Sequence, residues 1–278
     1  MNQSVIANYA RVKTSLLYLP MVLLLLIAVF LFSQHALNID GYRQIQKGTF
    51  FFLNGELGQF PHLMDNLTQI GDGFVFFALV SILIIYASET LGAMIDALLI
   101  TAFIANILKW LFAVPRPAAT FDNEKIIVIG QTLRGHNSFP SGHSITIFAL
   151  LTVLMFAFVP KAKKYQRLWF CLFILIGLFL VSTRVGVGAH YPLDALTGGI
   201  LGYIAGLTGI YLNRKFRIWA WMSHQKYYPF LIALLLVCAI VMAIKIMDRP
   251  LAIHYIALAS SLISLFFTIR YYVDYLKK

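Results

Sequence analysis

Long runs of apolar residues divide this chain of 278 residues, and they constrain its fold more than any other feature. Hydrophobic residues make up 60% of the sequence, whereas charged residues make up only 12%. A membrane-crossing helix needs about 20 mainly apolar residues, and it must bond its backbone polar groups within the segment. The pattern therefore indicates a helical membrane protein and excludes a soluble domain.

Eight runs are long enough to be predicted as membrane spans. They cover residues 15–33, 68–88, 91–114, 141–159, 168–183, 192–212, 228–246 and 251–269. The first is predicted to be retained, because it is long for a signal sequence and lacks a convincing cleavage site. The predicted fold class is all-α, a polytopic transmembrane helical bundle. It comprises a six-helix catalytic core in residues 1–212 and a C-terminal two-helix hairpin in residues 213–278.

The distribution of basic residues predicts the orientation of the bundle. Of the 22 Lys and Arg residues, 13 lie in the two terminal segments and in the loops after residues 159 and 212. All of these fall on one side of the predicted bundle, and cytoplasmic loops are the ones enriched in Lys and Arg. Both termini are therefore predicted to lie inside. Because the basic residues cluster in short loops between apolar runs, the net charge of +11 gives no reason to expect a nucleic-acid partner.

Three short polar segments lie at the predicted outer ends of the helices. They are Lys109-Trp-Leu-Phe-Ala-Val-Pro-Arg116-Pro117, Pro140-Ser141-Gly142-His143 and Thr183-Arg184-Val-Gly-Val-Gly-Ala-His190-Tyr-Pro-Leu-Asp194. Charged groups near a membrane core need partners or a water-filled cavity, yet these segments contain one carboxylate. An anion with several oxygens, such as phosphate, would satisfy Lys109, Arg116 and Arg184 together.

The second and third segments also contain residues suited to phosphoryl chemistry. Ser141 and Gly142 are predicted to begin a helix, where free N–H groups form an anion site. His190 and Asp194 are four residues apart on one helix face, so the carboxylate can orient the imidazole as a nucleophile. His143 is a second titratable group, suited to protonating a leaving oxygen and then activating water.

These segments resemble the signature of the type-2 phosphatidic acid phosphatase superfamily, which reads Lys-x6-Arg-Pro, Pro-Ser-Gly-His and Ser-Arg-x5-His-x3-Asp. Thr183 stands where that family usually has Ser, and the resemblance covers about residues 15–212. It implies that His190 attacks phosphorus to form a phosphohistidine, that Asp194 orients His190, and that His143 is the general acid. It further implies phosphate binding by Lys109, Arg116, Ser141, Gly142 and Arg184, with no metal and no organic cofactor.

The expected function is hydrolysis of a lipid phosphomonoester or pyrophosphate at the periplasmic face of a bacterial inner membrane. Phosphatidic acid, phosphatidylglycerol phosphate, undecaprenyl pyrophosphate and lipid A all fit as substrates. A lipid-to-lipid phosphotransferase would use the same residues. A lipid or anion transporter is the non-enzyme alternative, although transporters often have inverted repeats or helices broken near mid-membrane, and the sequence suggests neither.

Other local patterns give smaller predictions. Gly198, Gly202 and Gly206 recur every four residues, which favours close helix packing over a substrate groove. Asp72 is predicted to cap a helix. The Phe50–Leu53 run suggests a short segment in the membrane interface within the outer connection, residues 34–67. His136 and Asn137 precede the second polar segment and are secondary candidates for lining the site.

Overall fold

The computed structural model describes residues 1–121 and 125–277, and all regular secondary structure in these ranges is helical. The α-helices are α1 (Asn2–Ala10), α2 (Tyr18–Ser33), α3 (Ile39–Gly58), α4 (Pro61–Thr68), α5 (Gly73–Val80), α6 (Leu83–Tyr86), α7 (Ser88–Phe112), α8 (Pro117–Thr120), α9 (Gly142–Ala157), α10 (Lys163–Gly186), α11 (Pro192–Phe216), α12 (Tyr228–Asp248) and α13 (Ala252–Leu276). A 3-10 turn, Gln69–Gly71, joins α4 to α5. The predicted all-α class is confirmed.

Six helical segments of the described chain are long and apolar enough to cross a membrane. They are Thr14–Ser33, Ser88–Thr120, Lys163–Gly186, Pro192–Phe216, Gln225–Asp248 and Ala252–Leu276. The predicted fourth span corresponds to α9, which is apolar but has only 16 residues. Seven of the eight predicted runs therefore correspond to continuous apolar helices, as in an integral membrane protein.

The predicted second span, residues 68–88, is wrong as a continuous helix. It is divided into the Gln69–Gly71 turn, α5 and α6, and helical geometry is also lost at Ala87, where φ is −150° and ψ is 56°. At the break, the Ser81 hydroxyl donates to the Ala78 carbonyl and lies 2.8 Å from Ser264 Oγ. Non-helical backbone is tolerated at membrane depth where protein covers it, and α12 and α13 provide that cover.

Close packing between α9 and α11 forms the centre of the bundle. Gly198, Gly202 and Gly206 lie along the contact, and a methyl group added to Gly202 would lie 2.3 Å from the Ile145 carbonyl oxygen. Two helices can approach this closely only where small residues leave room for the opposing backbone. The prediction that these glycines serve helix packing is confirmed.

The two ends of the bundle carry different groups. At one end, the Asn8 side chain donates to the Ala157 carbonyl, and Arg214 donates to the carbonyls of Tyr9 and Val12. The N-terminal helix, the end of α9 and the end of α11 therefore meet at the predicted basic side. The three polar segments lie at the opposite end. Lys278, counted among the basic residues of the inner side, lies outside the described residues.

The predicted outer connection, residues 34–67, is mostly helical. Residues at every fourth position of α3 form its buried face: Tyr42, Gln46, Phe50, Asn54 and Gly58. The Phe50 ring is fully buried, and its centroid lies 5.7 Å from those of Phe121 and Tyr191. Phe50 itself is shielded from lipid, because this face of α3 packs against the bundle, and the interfacial position of the segment stays a prediction.

Candidate active site

The end of α7 positions the first two predicted phosphate ligands. Ala113 adopts a left-handed conformation with φ 44° and ψ 37°, and its N–H donates to the Lys109 carbonyl at 3.1 Å. This arrangement ends the helix and leaves Lys109 in its last turn. A methyl group added to Gly142 would lie 3.3 Å from Lys109 Nζ. The first polar segment therefore meets the second at the beginning of α9.

Arg116 is buried and connects the first polar segment to the third. Its Nε donates to Asn137 Oδ1 at 2.7 Å, and its Nη1 donates to the Ala189 carbonyl at 3.2 Å. The same Nη1 lies 3.3 Å from His190 Nε2. Asn137 therefore holds a cation of the site, whereas His136, the other secondary candidate, is exposed. Arg116 is placed beside the ring nitrogen predicted to attack phosphorus.

Ser141 caps the beginning of α9 and joins it to α11. Its Oγ accepts from the backbone N–H of Ser144 at 3.3 Å and from the Ser144 hydroxyl at 2.9 Å. Its own backbone N–H donates to the Asp194 carbonyl at 3.1 Å. The first N–H groups of a helix have no intrahelical partner, so those of Gly142 and His143 are suited to an anion.

The turn between α10 and α11 brings Arg184 and His190 together. The N–H groups of Ala189 and His190 both donate to the Arg184 carbonyl, at 3.1 and 3.2 Å. Gly188 occupies the left-handed region with φ of 74°, a conformation that glycine adopts without strain. The Asn54 amide donates to the carbonyls of Val185 and Gly186, at 3.1 Å each, and so fixes the end of α10.

Asp194 is held by several donors next to His190. Its Oδ1 accepts from the Tyr42 hydroxyl at 2.6 Å, and its Oδ2 accepts from the Ser138 hydroxyl at 2.5 Å and the Tyr191 N–H at 3.0 Å. His190 Nδ1 lies 3.6 Å from Asp194 Oδ2. Both side chains are buried, and the carboxylate is held in place facing Nδ1, while Nε2 faces Arg116.

Burial and neighbouring cations determine the ionisation of His190. Burial, together with the positive charges of Arg116, Arg184 and Lys109, holds the pKa of His190 well below its ordinary value of 6.5. A neutral imidazole keeps the lone pair that a nucleophile requires. Burial and the charge of Asp194 raise the pKa of Tyr42 well above 10.0, so the Tyr42 hydroxyl keeps the proton that it donates.

The three cations of the site have no carboxylate partner within the described ranges. No Asp or Glu oxygen of residues 1–121 or 125–277 lies within 4.0 Å of the charged nitrogens of Lys109, Arg116 or Arg184. Arg184 is 5% exposed and Arg116 is 8% exposed. Arg184 Nη1 donates to the Thr68 hydroxyl, whereas the buried Nε of Arg184 has no hydrogen-bond partner in the described structure. The arrangement is suited to an anion with several oxygens.

A cleft of about 720 Å³ begins at this site and continues along the bundle. Gly142 and His143 line one part of it, Leu98 and Trp219 line further parts, and Leu234 and Cys238 of α12 close one side. Its lining along α7 extends from Asn106 to Ile95, roughly 16 Å at 1.5 Å per residue. A second apolar cleft, of about 670 Å³ beside α2, contains none of the predicted site residues.

The fold brings to the site several residues that lie outside the three polar segments. Tyr42 and Ser138 hold Asp194, Thr68 contacts Arg184, and Asn54 fixes the turn before His190. Thr183 uses its hydroxyl within α10, donating to the Leu180 carbonyl at 2.6 Å. Asp72 caps α5 by accepting from the N–H groups of Phe74 and Val75, as predicted. In the described part of the chain, no group of three or more His, Cys, Asp or Glu side chains is placed to hold a metal ion.

Comparison with known proteins identifies the same region of the chain. The family model of the PAP2 superfamily matches residues 90–219, which include all three polar segments. The bacitracin transport permease protein BcrC of Bacillus licheniformis is 26% identical over 178 residues, which cover 62% of this chain and 78% of that protein. The undecaprenyl-diphosphatase of Sulfolobus acidocaldarius is 26% identical over 168 residues, 59% of this chain and 73% of that protein.

A third relative has higher identity over a shorter region. The lipid A 1-phosphatase of Rhizobium etli is 31% identical over 134 residues, which cover 47% of this chain. The match spans about half of that protein, 53% of its length. The family match ends at residue 219, before α12 begins, so the C-terminal hairpin lies outside it.

Proposed function

We propose that this chain, a member of the PAP2 superfamily through residues 90–219, is a membrane phosphatase that removes a phosphate group from a lipid headgroup. The observation that carries the proposal is the convergence of Lys109, Arg116 and Arg184 around His190 at one end of the bundle. Three cations that have no carboxylate partner among the described residues are suited to binding a phosphate group. The neutral imidazole among them is suited to act as a nucleophile. The site would face the periplasm, opposite the basic loops.

The proposed reaction has two steps through a covalent intermediate. His190 Nε2 attacks phosphorus, and the bond from phosphorus to the lipid oxygen breaks while His143 gives that oxygen a proton. Water then attacks the phosphohistidine and gives its proton to His143, and the phosphorus–nitrogen bond breaks to release inorganic phosphate. Asp194, facing Nδ1 at 3.6 Å, would stabilise the imidazolium that develops. The cations and the amides of Gly142 and His143 would bind the phosphoryl oxygens throughout.

The cleft supports a lipid as the substrate. It begins beside His143 and is lined mainly by apolar side chains from α5, α7, α9 and α12. Its length along α7 is roughly half of the hydrocarbon core, which is about 30 Å thick, and so fits an alkyl chain from one leaflet. Burying apolar surface stabilises by about 25 cal/mol per Å², so a chain in the cleft would contribute strongly to binding.

The names of two relatives support two of the candidate substrate classes. One relative is named for a lipid A 1-phosphatase activity and another for an undecaprenyl-diphosphatase activity. The candidates for this chain are therefore a glycolipid phosphate and a polyprenyl pyrophosphate, beside phosphatidic acid and phosphatidylglycerol phosphate. A third relative is named a transport permease, which keeps transport as the alternative from another class. Here the cations cluster at one end of the bundle, whereas transporter sites typically lie near the midplane.

The decisive experiment measures phosphate release from these four lipids by the purified protein in detergent. His190→Ala should abolish release, because no other group can form the covalent intermediate, and vanadate should inhibit the unaltered protein. His62→Ala is the matched control, since His62 is an exposed histidine on α4. Near-normal release in His190→Ala would contradict the covalent mechanism. Transfer of phosphate to an added acceptor lipid, without free phosphate, would identify a phosphotransferase instead.

Chain length tests whether the cleft receives the lipid. We expect kcat/KM to rise with acyl chain length and then to level off, and para-nitrophenyl phosphate should be a poor substrate. Cys238→Trp should place a large ring in the cleft and shift the preference towards shorter chains. Val237→Trp is its control, because Val237 is the neighbouring residue of α12 and is half exposed on the outer surface. A soluble ester turned over as efficiently as the long-chain lipid would contradict a lipid substrate.

A further inference from the structure

The turn of the C-terminal hairpin contacts residues 65–72, which form the end of α4 and the turn that joins α4 to α5. Lys245 Nζ lies 2.9 Å from Asp72 Oδ2, and Arg249 forms an ion pair with Asp65. The Asn66 side chain accepts a hydrogen bond from the Ile253 N–H at 3.0 Å. Three successive parts of the hairpin, at the end of α12, in the turn and at the beginning of α13, are thus bonded to residues 65–72.

The same short segment forms one side of the phosphate site. The Thr68 hydroxyl accepts a hydrogen bond from Arg184. Gly71 lies against the general acid candidate, because a methyl group added there would be 2.6 Å from His143 Cβ and 2.8 Å from His143 Cδ2. A shift of this segment by even a few tenths of an ångström would therefore change the surroundings of both His143 and Arg184.

We propose that the C-terminal hairpin is a working part of the active site, in which Lys245 and Arg249 position residues 65–72 against Arg184 and His143. This inference rests on the proposed phosphatase function and adds positioning residues that lie outside the family match at residues 90–219. Neither Lys245 nor Arg249 contacts the reacting groups. Each acts through the acidic residue that it pairs with.

The setting of the ion pairs explains how they can hold this segment. The side chains of Lys245 and Asp72 are 28% and 26% exposed, and those of Arg249 and Asp65 are 29% and 14% exposed. Partly buried charges are screened less by water and salt than exposed ones, so these pairs are stronger than surface pairs. The segment consists of the last turn of α4, which has only eight residues, and the following 3-10 turn, so no long helix fixes it.

The apolar contacts of the hairpin keep its turn in register with the segment. Val75 and Ala78 of α5 pack with Met242 of α12 and Ala257 of α13 in one buried cluster. The Ser260 hydroxyl donates to the Leu79 carbonyl at 3.0 Å. These contacts lie away from the phosphate site and do not involve Lys245 or Arg249. A change in either cation should therefore leave the hairpin docked while removing one of the bonds that hold residues 65–72.

The test compares Lys245→Met with the unaltered protein on the lipid phosphate that the unaltered protein hydrolyses best. We expect kcat to fall by about tenfold or more, because misplacement by about 1 Å can cost roughly 100-fold in rate. KM should change less than kcat, since Lys245 does not itself line the cleft. Lys245→Arg, which retains the charge, should restore most of kcat. Arg270→Met is the matched control, because Arg270 is an exposed cation near the other end of the same hairpin.

The Arg249–Asp65 pair gives a second variant set that does not depend on Lys245. Arg249→Asp and Asp65→Arg should each lower kcat, and the double variant, which restores the pair with reversed charges, should recover it. Thermal unfolding in detergent would show that each variant is folded. Full kcat in Lys245→Met and Arg249→Asp would overturn the inference, as would a double variant no better than either single one. Absence of activity in the unaltered protein would instead contradict the proposed function itself.

Discussion

At the scale of single residues, Tyr42 is one of two contacts to Asp194, with Ser138, that no polar segment contains. Its hydroxyl donates to Asp194 Oδ1 at 2.6 Å in a buried site. A hydrogen bond to a charged group contributes about 1.5–3 kcal/mol, so Tyr42→Phe should lower kcat by roughly 10- to 100-fold. The measurement is steady-state kinetics on the lipid substrate. Tyr18→Phe should have no effect, because Tyr18 is 74% exposed on α2.

The ionisation of His190 predicts the pH dependence of the reaction. Its pKa lies below 6.5 because of burial and the neighbouring cations, so the imidazole stays neutral as pH falls through the ordinary range of histidine. The acidic limb of kcat/KM should therefore lie below pH 6.5. The second ionisation of the substrate phosphate, near about pH 6, must be measured separately. An acidic limb that is assigned to His190 and has a pKa of 6.5 or higher would contradict the electrostatic account of the site.

The lowered pKa of His190 also predicts how the free energy of unfolding depends on pH. Between the lowered pKa of folded His190 and the ordinary value of 6.5, the unfolded chain binds more protons than the folded one. The free energy of unfolding therefore decreases as pH falls through that interval, and the decrease stops below the folded pKa. His190→Phe should remove this contribution, and thermal unfolding as a function of pH would detect it.

At the scale of helices, two glycines should respond oppositely to the same substitution. Gly202→Ala would place a methyl group 2.3 Å from the Ile145 carbonyl oxygen, so α9 and α11 must separate and Tm should fall. Gly48→Ala meets no atom within 4 Å and should keep or raise Tm, since alanine favours a helix by about 1 kcal/mol over glycine. Equal effects of the two substitutions on thermal unfolding would contradict the role of Gly202 in packing.

The sequence allowed most helices to be predicted, because a long apolar run satisfies its backbone hydrogen bonds in lipid by forming a helix. The helix α3 was missed for a physical reason. Its buried face alternates aromatic and polar residues, namely Tyr42, Gln46, Phe50 and Asn54, so it carries no apolar stripe. Their spacing of four residues was the available signal, and the polar members are buried because they bond Asp194, the α11 backbone and the end of α10.

The same limit applies to the second span and to the site. Residues 68–88 are apolar enough for a helix, but Ser81 at the break contacts Ser264, which is 183 residues away in the chain and cannot be identified from the local sequence. The cations and the two histidines could be predicted because their charge is costly in a membrane unless it serves a ligand. Thr68 and Ser138 could not, since a single hydroxyl residue carries no such cost and gains its role only from the fold.

At the scale of the whole molecule, the orientation of the bundle can be tested directly. After replacement of Cys171 and Cys238 by serine and alanine, a single cysteine at position 136 should react with an impermeant thiol reagent added outside the cell. Single cysteines at positions 163 and 215 should not react, because both lie on the basic side. All three positions are exposed, so access to the reagent is decided by the membrane alone. The reverse labelling pattern would place the site in the cytoplasm.

The break in the second span also has a consequence for biogenesis. Ser81 finds Ser264, and Asp72 finds Lys245, only after a further 183 and 173 residues have been synthesised. At roughly 5–20 residues per second, translation takes about 10 to 40 s to cover that distance. Until then Asp72 lacks its ion-pair partner, and a charged side chain near a membrane core is costly without a partner or a water-filled cavity. Because the proposed positioning of the site requires the hairpin, we expect the nascent protein to gain activity only once the hairpin has entered the membrane.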